Sequence, residues 1–174
     1  DAVADTAPIV YERVGAFQQT MLRLIVQRLV PTREIYLPRE LGTARRRLLP
    51  PPKGRFHLWR SPHNPGAREL VDELERFGGW TGKLLVTEVA AEMQHADQLL
   101  LMLNRATWAD DGARKGALTA EVRAPLLRSP RRPLLLVHET DEQRGGIEPF
   151  GHLFGSNVTP TGLLGLKICT CCAS

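Results

Sequence analysis

Two short polar stretches carry the side chains best suited to hold a ligand. One is Ser61-Pro62-His63-Asn64-Pro65-Gly66, and the other is Asn104-Arg105-Ala106-Thr107. Each comes just after an apolar run, Phe56–Trp59 in the first case and Leu99–Leu103 in the second. In an open parallel sheet, ligands bind beyond the carboxyl ends of the strands, where the strand order reverses. If the two runs are neighbouring strands of such a sheet, Ser61, His63 and Asn64 would face Asn104, Arg105 and Thr107 across that crevice. A helix starting near Pro65 would point its free N–H groups and positive dipole end into it, which suits a phosphate or a carboxylate. A plainer reading stands beside this one. Asn64 is a good N-cap and Pro65 a good first helical residue, so the loop can simply turn the chain and start the helix. It is not a glycine-rich phosphate loop.

The remaining candidates are thinner. His138 and Glu139 leave the apolar run Leu134–Val137 and could form an acid–base pair. Adjacent residues leaving a strand point in opposite directions, however, so they are poorly placed to act on one atom. His57 alternates with Phe56 and Leu58 and reads as a structural histidine, while His95 and His152 have no companions at ligand spacing. Trp59, Trp80 and Trp108 read as core or partner-contact residues. All three cysteines, Cys169, Cys171 and Cys172, fall in the last six residues. A Cys-x-Cys-Cys group without a second pair or a nearby histidine is a poor zinc site, and no disulfide framework holds the rest. No metal site is expected. Cys171-Cys172-Ala173-Ser174 fits a prenylation signal with a farnesyl-type final serine, although Cys172 is not aliphatic.

The elements that must position these residues follow from apolar periodicity. Tyr11–Val30 reads as a helix, with Val14, Phe17, Met21, Leu24, Ile25 and Leu29 at steps of three and four and Pro31 as its stop. Pro50-Pro51-Pro52 favours a stiff extended conformation and marks a boundary, so residues 1–54 are taken as a basic arm leading into a domain at 55–150. Within that domain Arg55–Trp59 is a first strand, and a helix from about Pro65 to Phe77 buries Leu70, Val71, Leu74 and Phe77 before Gly78-Gly79. Lys83–Thr87 is a second strand, followed by about two helical turns over Val89–His95. Gln98–Leu103 is a third strand, apolar on both faces as a covered strand should be. Ala117–Leu127 is the next helix, which Pro125 should kink or shorten, and Pro133–Val137 is a fourth strand. A C-terminal extension at 151–174 holds at most one further helical turn. Strands alternating with helices over short connections predict a parallel sheet: an α/β, flavodoxin-like three-layer sandwich with four to five strands, plus the N-terminal helical arm.

Composition narrows the partners. At 43% hydrophobic and 24% charged, the 174 residues suit a soluble globular protein. The longest apolar runs fall far short of the roughly 20 residues a membrane span needs, so a soluble or peripheral protein is expected. Net charge is +6 over residues 1–60 and −2 over the remainder, with Arg45-Arg46-Arg47 the densest point. Such a run is usually a solvated surface; an acidic partner or a headgroup layer is the sharper reading. No aromatic residues interleave with the arginines, so specific nucleic-acid binding is not expected. A start at Asp1 suits a processed product or a piece of a longer chain.

The order of elements over residues 55–140 resembles a TIR domain, in particular the divergent TIR-like segments of very long proteins of unicellular algae. The resemblance rests on Arg55–Phe77, on Ala96–Asn104 as the strand before a serine-containing loop, on Leu118-Thr119-Ala120-Glu121-Val122 as the following helix, and on Pro133–Val137 as the next strand. Leu103-Asn104-x-x-Thr107-Trp108, Leu135-Leu136-Val137-His138-Glu139 and Thr159-Pro160 are similar to phrases of the algal group. There are departures. Thr87 passes almost directly into Val89–His95, so the family's long partner-binding loop is missing; Asn104 replaces the loop serine; and no Trp-Cys precedes Glu121. For an NAD-cleaving TIR enzyme the resemblance implies that Glu121 would stabilise the positive charge developing on the ribose as nicotinamide leaves. Arg123, two residues away, should point elsewhere on the helix.

The sequence is therefore read as a non-enzymatic interaction or scaffold module, an accessory subunit that meets other protein chains through residues 1–54 and needs no cofactor. The first alternative is an NAD(P) hydrolase using Glu121, with NAD held by Ser61, His63, Asn64, Asn104 and Thr107. The second is a peripheral protein anchored to membrane by a lipid on Cys171 together with the basic arm.

Overall fold

A computed structural model of the chain describes residues 9–13, 15–29, 48–109, 113–127, 133–147, 160 and 163. Strands β1 (Ile9–Tyr11), β2 (Phe56–Arg60), β3 (Val86–Thr87), β4 (Ala96–Leu103) and β5 (Leu134–Glu139) are joined by helices α1 (Gly15–Leu29), α2 (Ala67–Gly78) and α3 (Ala113–Leu127). Short 3-10 helices occupy Ala90–His95 and Glu142–Arg144. The strands form one all-parallel sheet in the order β1-β5-β4-β2-β3, an α/β flavodoxin-like arrangement. Counted from β2, the last four strands follow the order 2-1-3-4. The position a fifth strand would take is filled by β1, from the start of the chain.

The central strand explains the core. Leu100 and Met102 of β4 pack in one cluster with Leu22, Ile25 and Val26 of α1 and Leu70, Val71 and Leu74 of α2. Leu101 and Leu103 pack in another with Leu118 and Val122 of α3, while Leu99 joins Trp59 and Met93. The alternation follows from the two-residue repeat of a strand, and burial of each such side chain contributes roughly 1.5–3 kcal/mol. The register holds the apolar runs level, with Phe56 opposite Ala96 and Leu100 opposite Leu135.

Several boundaries differ from expectation for local reasons. The helix expected over Tyr11–Val30 begins at Gly15, because Ile9–Tyr11 is taken into the sheet, with Ile9 opposite Val137 and Tyr11 opposite Glu139. Residues 9–29 are thus built into the sheet and its core rather than leading up to it. The second strand shrinks from Lys83–Thr87 to Val86–Thr87, since Lys83 and Leu84 fold back to donate N–H groups to the Trp80 carbonyl. The turns after it are 3-10 rather than α, with Thr87 Oγ1 accepting the Val89 N–H and donating to Glu92. Pro125 does not shorten α3; it sits in the last turn and only denies an N–H to the Glu121 carbonyl. The triple arginine, the three cysteines, His152 and nearly all of the expected 151–174 extension lie outside the described residues. Leu163 is buried against α3.

Candidate functional site

The strands whose ends were expected to flank a crevice, β2 and β4, lie side by side, at the point where the strand order reverses. Most of its polar side chains are committed to the chain itself. Asn64 is not the N-cap of α2. Its Oδ1 accepts the Met102 N–H at 2.7 Å and its Nδ2 donates to the Met102 carbonyl at 2.8 Å. The last β2–β4 pair is Arg60 with Leu100, so the amide side chain supplies the main-chain pairing that β2 would have made two residues further on. Asn104 donates from Nδ2 to the Pro65 carbonyl at 2.9 Å and accepts the Ala106 N–H at 2.9 Å. Thr107 Oγ1 accepts the Asn104 N–H at 2.8 Å and lies 3.0 Å from the Met102 carbonyl, to which it donates. The Arg105 N–H donates to Gly145 O at 2.7 Å, tying this loop to the one after β5.

Gly66, rather than Asn64, precedes the first residue of α2. It holds φ at 81°, and a Cβ there would come within 3.1 Å of Asn104 Nδ2. A glycine is required on both counts, conformation and close approach.

Ser61 and Glu121 meet, although 60 residues separate them. The Ser61 hydroxyl donates to Glu121 Oε2 at 2.5 Å and accepts the His63 N–H at 3.0 Å. Ser61 is 1% exposed and Glu121 half-buried, so a carboxylate from α3 is held beside the end of β2. His63 contributes its main-chain N–H to this group. The structure thus brings together Ser61, Glu121 and the His63 backbone, and separately Asn64, Asn104 and Thr107. His138 and Glu139 diverge: His138 Nε2 donates to Ile147 O at 2.7 Å, while Glu139 turns to Arg13. Trp59, Trp80 and Trp108 are all in the core, and the indole N–H groups of Trp59 and Trp108 have no hydrogen-bond partner among the described residues.

A second polar group at the same edge of the sheet was not foreseen. Arg13 pairs with Glu139 at 2.8 Å and with Glu73 of α2, and its guanidinium lies 4.8 Å from the Tyr11 ring centroid. The Tyr11 hydroxyl donates to Glu73, and Arg144 lies 3.9 Å from the same carboxylate. Burial and then the Glu73 contact push the Tyr11 phenol well above its ordinary range. For Arg13, burial acts to lower the pKa, but the hydrogen bonds it donates to Glu139 and Glu73, with their charges, outweigh it and raise it. Reading Tyr11 and Arg13 as helical hid this group. The signal that could have shown it is the β-prone triplet Ile9-Val10-Tyr11 ahead of Gly15. Among the described residues no set of three or more His, Cys, Asp or Glu is placed to hold a metal ion, and no helix is long and apolar enough to cross a membrane.

The order and direction of the strands define an α/β protein with a flavodoxin-like parallel sheet. No family model, curated protein or solved structure matches this chain.

Proposed function

We propose that the chain is a TIR-like, non-enzymatic interaction module, an accessory or scaffold subunit that meets other protein chains through its N-terminal segment. The observation that carries this reading is the outer face of α1, where Phe17 is 58% and Leu24 40% exposed, two turns apart on one side of the helix. Large apolar side chains so placed gain most from a partner that covers them. The commitment of Asn64, Asn104 and Thr107 to main-chain partners supports the same reading, since little of the crevice's polar capacity is left for a ligand. The test is native mass spectrometry of the chain purified from its own cells, beside the double variant Phe17→Asp, Leu24→Asp. A complex heavier than the chain alone that disappears in the variant is expected; the chain's own mass in both samples overturns the proposal.

A second reading, an NAD(P) hydrolase, is favoured by the Ser61–Glu121 hydrogen bond. A donated hydroxyl proton fixes the orientation of a carboxylate, which a charge-stabilising glutamate needs. Incubation with NAD should then release nicotinamide, and Glu121→Ala should abolish the release. No turnover by the unaltered chain removes this reading. A lipid anchor would use cysteines outside the described residues, and the intact mass of the native protein tests it.

A further inference from the structure

Among the described residues of α1, the exposed side chains are Phe17, Gln19, Thr20, Leu24 and Gln27, and none of them is charged. Phe17, Thr20, Leu24 and Gln27 follow one another at steps of three, four and three. That spacing makes a seam along which a second helix can lie. The other side of α1 is already used, since Leu22, Ile25 and Val26 are buried in the core. The seam is bordered on one side by Arg28 and on the other by Arg23, both half-buried, and α1 contains no acidic residue. Burial holds the Arg28 guanidinium below its ordinary range, a cost that a neighbouring anion would offset.

Three kinds of occupant suit an exposed helix face, and the charges separate them. A second copy of α1 would bring border against border in either direction, and both borders carry only arginines. A lipid surface calls for a broad apolar face, whereas Gln19, Thr20 and Gln27 leave a narrow one. We infer that the occupant is an amphipathic helix of another protein, with apolar residues against Phe17 and Leu24 and Asp or Glu along both of its borders. Its carboxylates would lie beside Arg23 and Arg28. The inference rests on the reading of α1 as the docking face and adds the chemistry of what docks there. Like charges across the seam discourage self-pairing, while opposite charges speed encounter and fix the register.

The probe is a synthetic three-heptad helix with Leu at the a positions, Ala at the d positions and Glu along both borders, beside a twin carrying Lys at the borders. Both are titrated against the full chain by fluorescence anisotropy. At about 0.05 M salt the Glu peptide should bind about tenfold more tightly than the Lys twin, as two exposed ion pairs exchanged for two repulsions predict. The difference should shrink at about 1 M salt. Arg23→Glu with Arg28→Glu should reverse the preference, and Phe17→Asp with Leu24→Asp should abolish binding of both peptides. Equal binding of the two peptides, binding of neither, or tighter binding to vesicles of anionic phospholipid than to the Glu peptide overturns the inference. So does a dimer of the chain that is lost in the Phe17→Asp, Leu24→Asp variant. Should a variant not fold, the two peptides on the unaltered chain decide by themselves. A native complex that depends on Phe17 and Leu24, with no preference between the peptides, would leave the docking face standing and remove the acidic helix.

Discussion

The two ends of the sheet's carboxyl edge solve the same problem with different chemistry. Where β2 meets β4, neutral amides and hydroxyls bond to main-chain groups: Asn64 to Met102, Asn104 to Pro65, Thr107 to Met102. Where β1 meets β5, charges hold the strand: Arg13 joins Glu73 and Glu139, with the Tyr11 hydroxyl donating to Glu73. The neutral end extends a sheet by imitating it, since a side-chain amide has the donor and acceptor of a peptide group. The charged end attaches a three-residue strand that has too few ladder bonds to hold itself, and ties it to α2 and β5 together. Removing one member of the neutral set orphans one or two groups. Removing the arginine leaves the buried Glu139 carboxylate without its cation, and Glu73 with only the more distant Arg144.

That contrast sets the order of expected effects. Arg13→Leu should be the most damaging, lowering stability by about 3–5 kcal/mol in urea unfolding, because Glu139 is 1% exposed and cannot regain water. Adding Glu139→Gln to Arg13→Leu should restore part of the loss; no recovery would mean that the charges are not what holds β1. Asn64→Ala should cost less, about 1–3 kcal/mol in the same measurement. The Met102 carbonyl keeps Thr107, and only its N–H is left without a partner. A loss as large as that of Arg13→Leu would erase the distinction between the two ends.

Tyr11→Phe should have the smallest effect, about 1 kcal/mol near neutrality, with a signature in alkali. Burial and Glu73 raise the phenol's pKa in the folded state, so the folded form prefers the proton. The stability this provides is complete below the unfolded tyrosine value of about 10 and is lost as pH rises above it. Urea midpoints measured from pH 8 to 11 should fall more steeply for the unaltered chain than for Tyr11→Phe. Parallel curves would remove Tyr11 from the charged group.

The sheet was legible from residues 55 onward because Leu99–Leu103 and Leu134–Val137 are apolar at every position, a pattern that requires cover on both faces. The loops Ser61–Asn64 and Asn104–Thr107 could be placed at one edge for the same reason. What Asn64 does could not be read, because a helix-starting position and a ladder-extending one have the same local sequence, and only the distance to Met102 separates them. The charged group was illegible for a different reason. Its members Arg13, Glu73 and Glu139 are far apart in the chain, and the one local signal, the β-prone Ile9-Val10-Tyr11, runs straight into the apolar period of the helix.

By itself the amino-acid sequence determined the class of fold, the direction of the strands and the apolar runs at their centre, since these depend on runs and periods of apolar side chains that burial must satisfy; which face of α1 is buried it did not, for Leu22, Ile25 and Val26 are inside while Phe17 and Leu24 are exposed. The tertiary structure alone decided that the first residues close the outer edge next to β5, that Ser61 meets Glu121, and that His57 links Leu49 to Leu85. Each of these contacts depends on which distant backbone groups are left without a partner once the sheet has formed, and that is known only when the strands have found their neighbours.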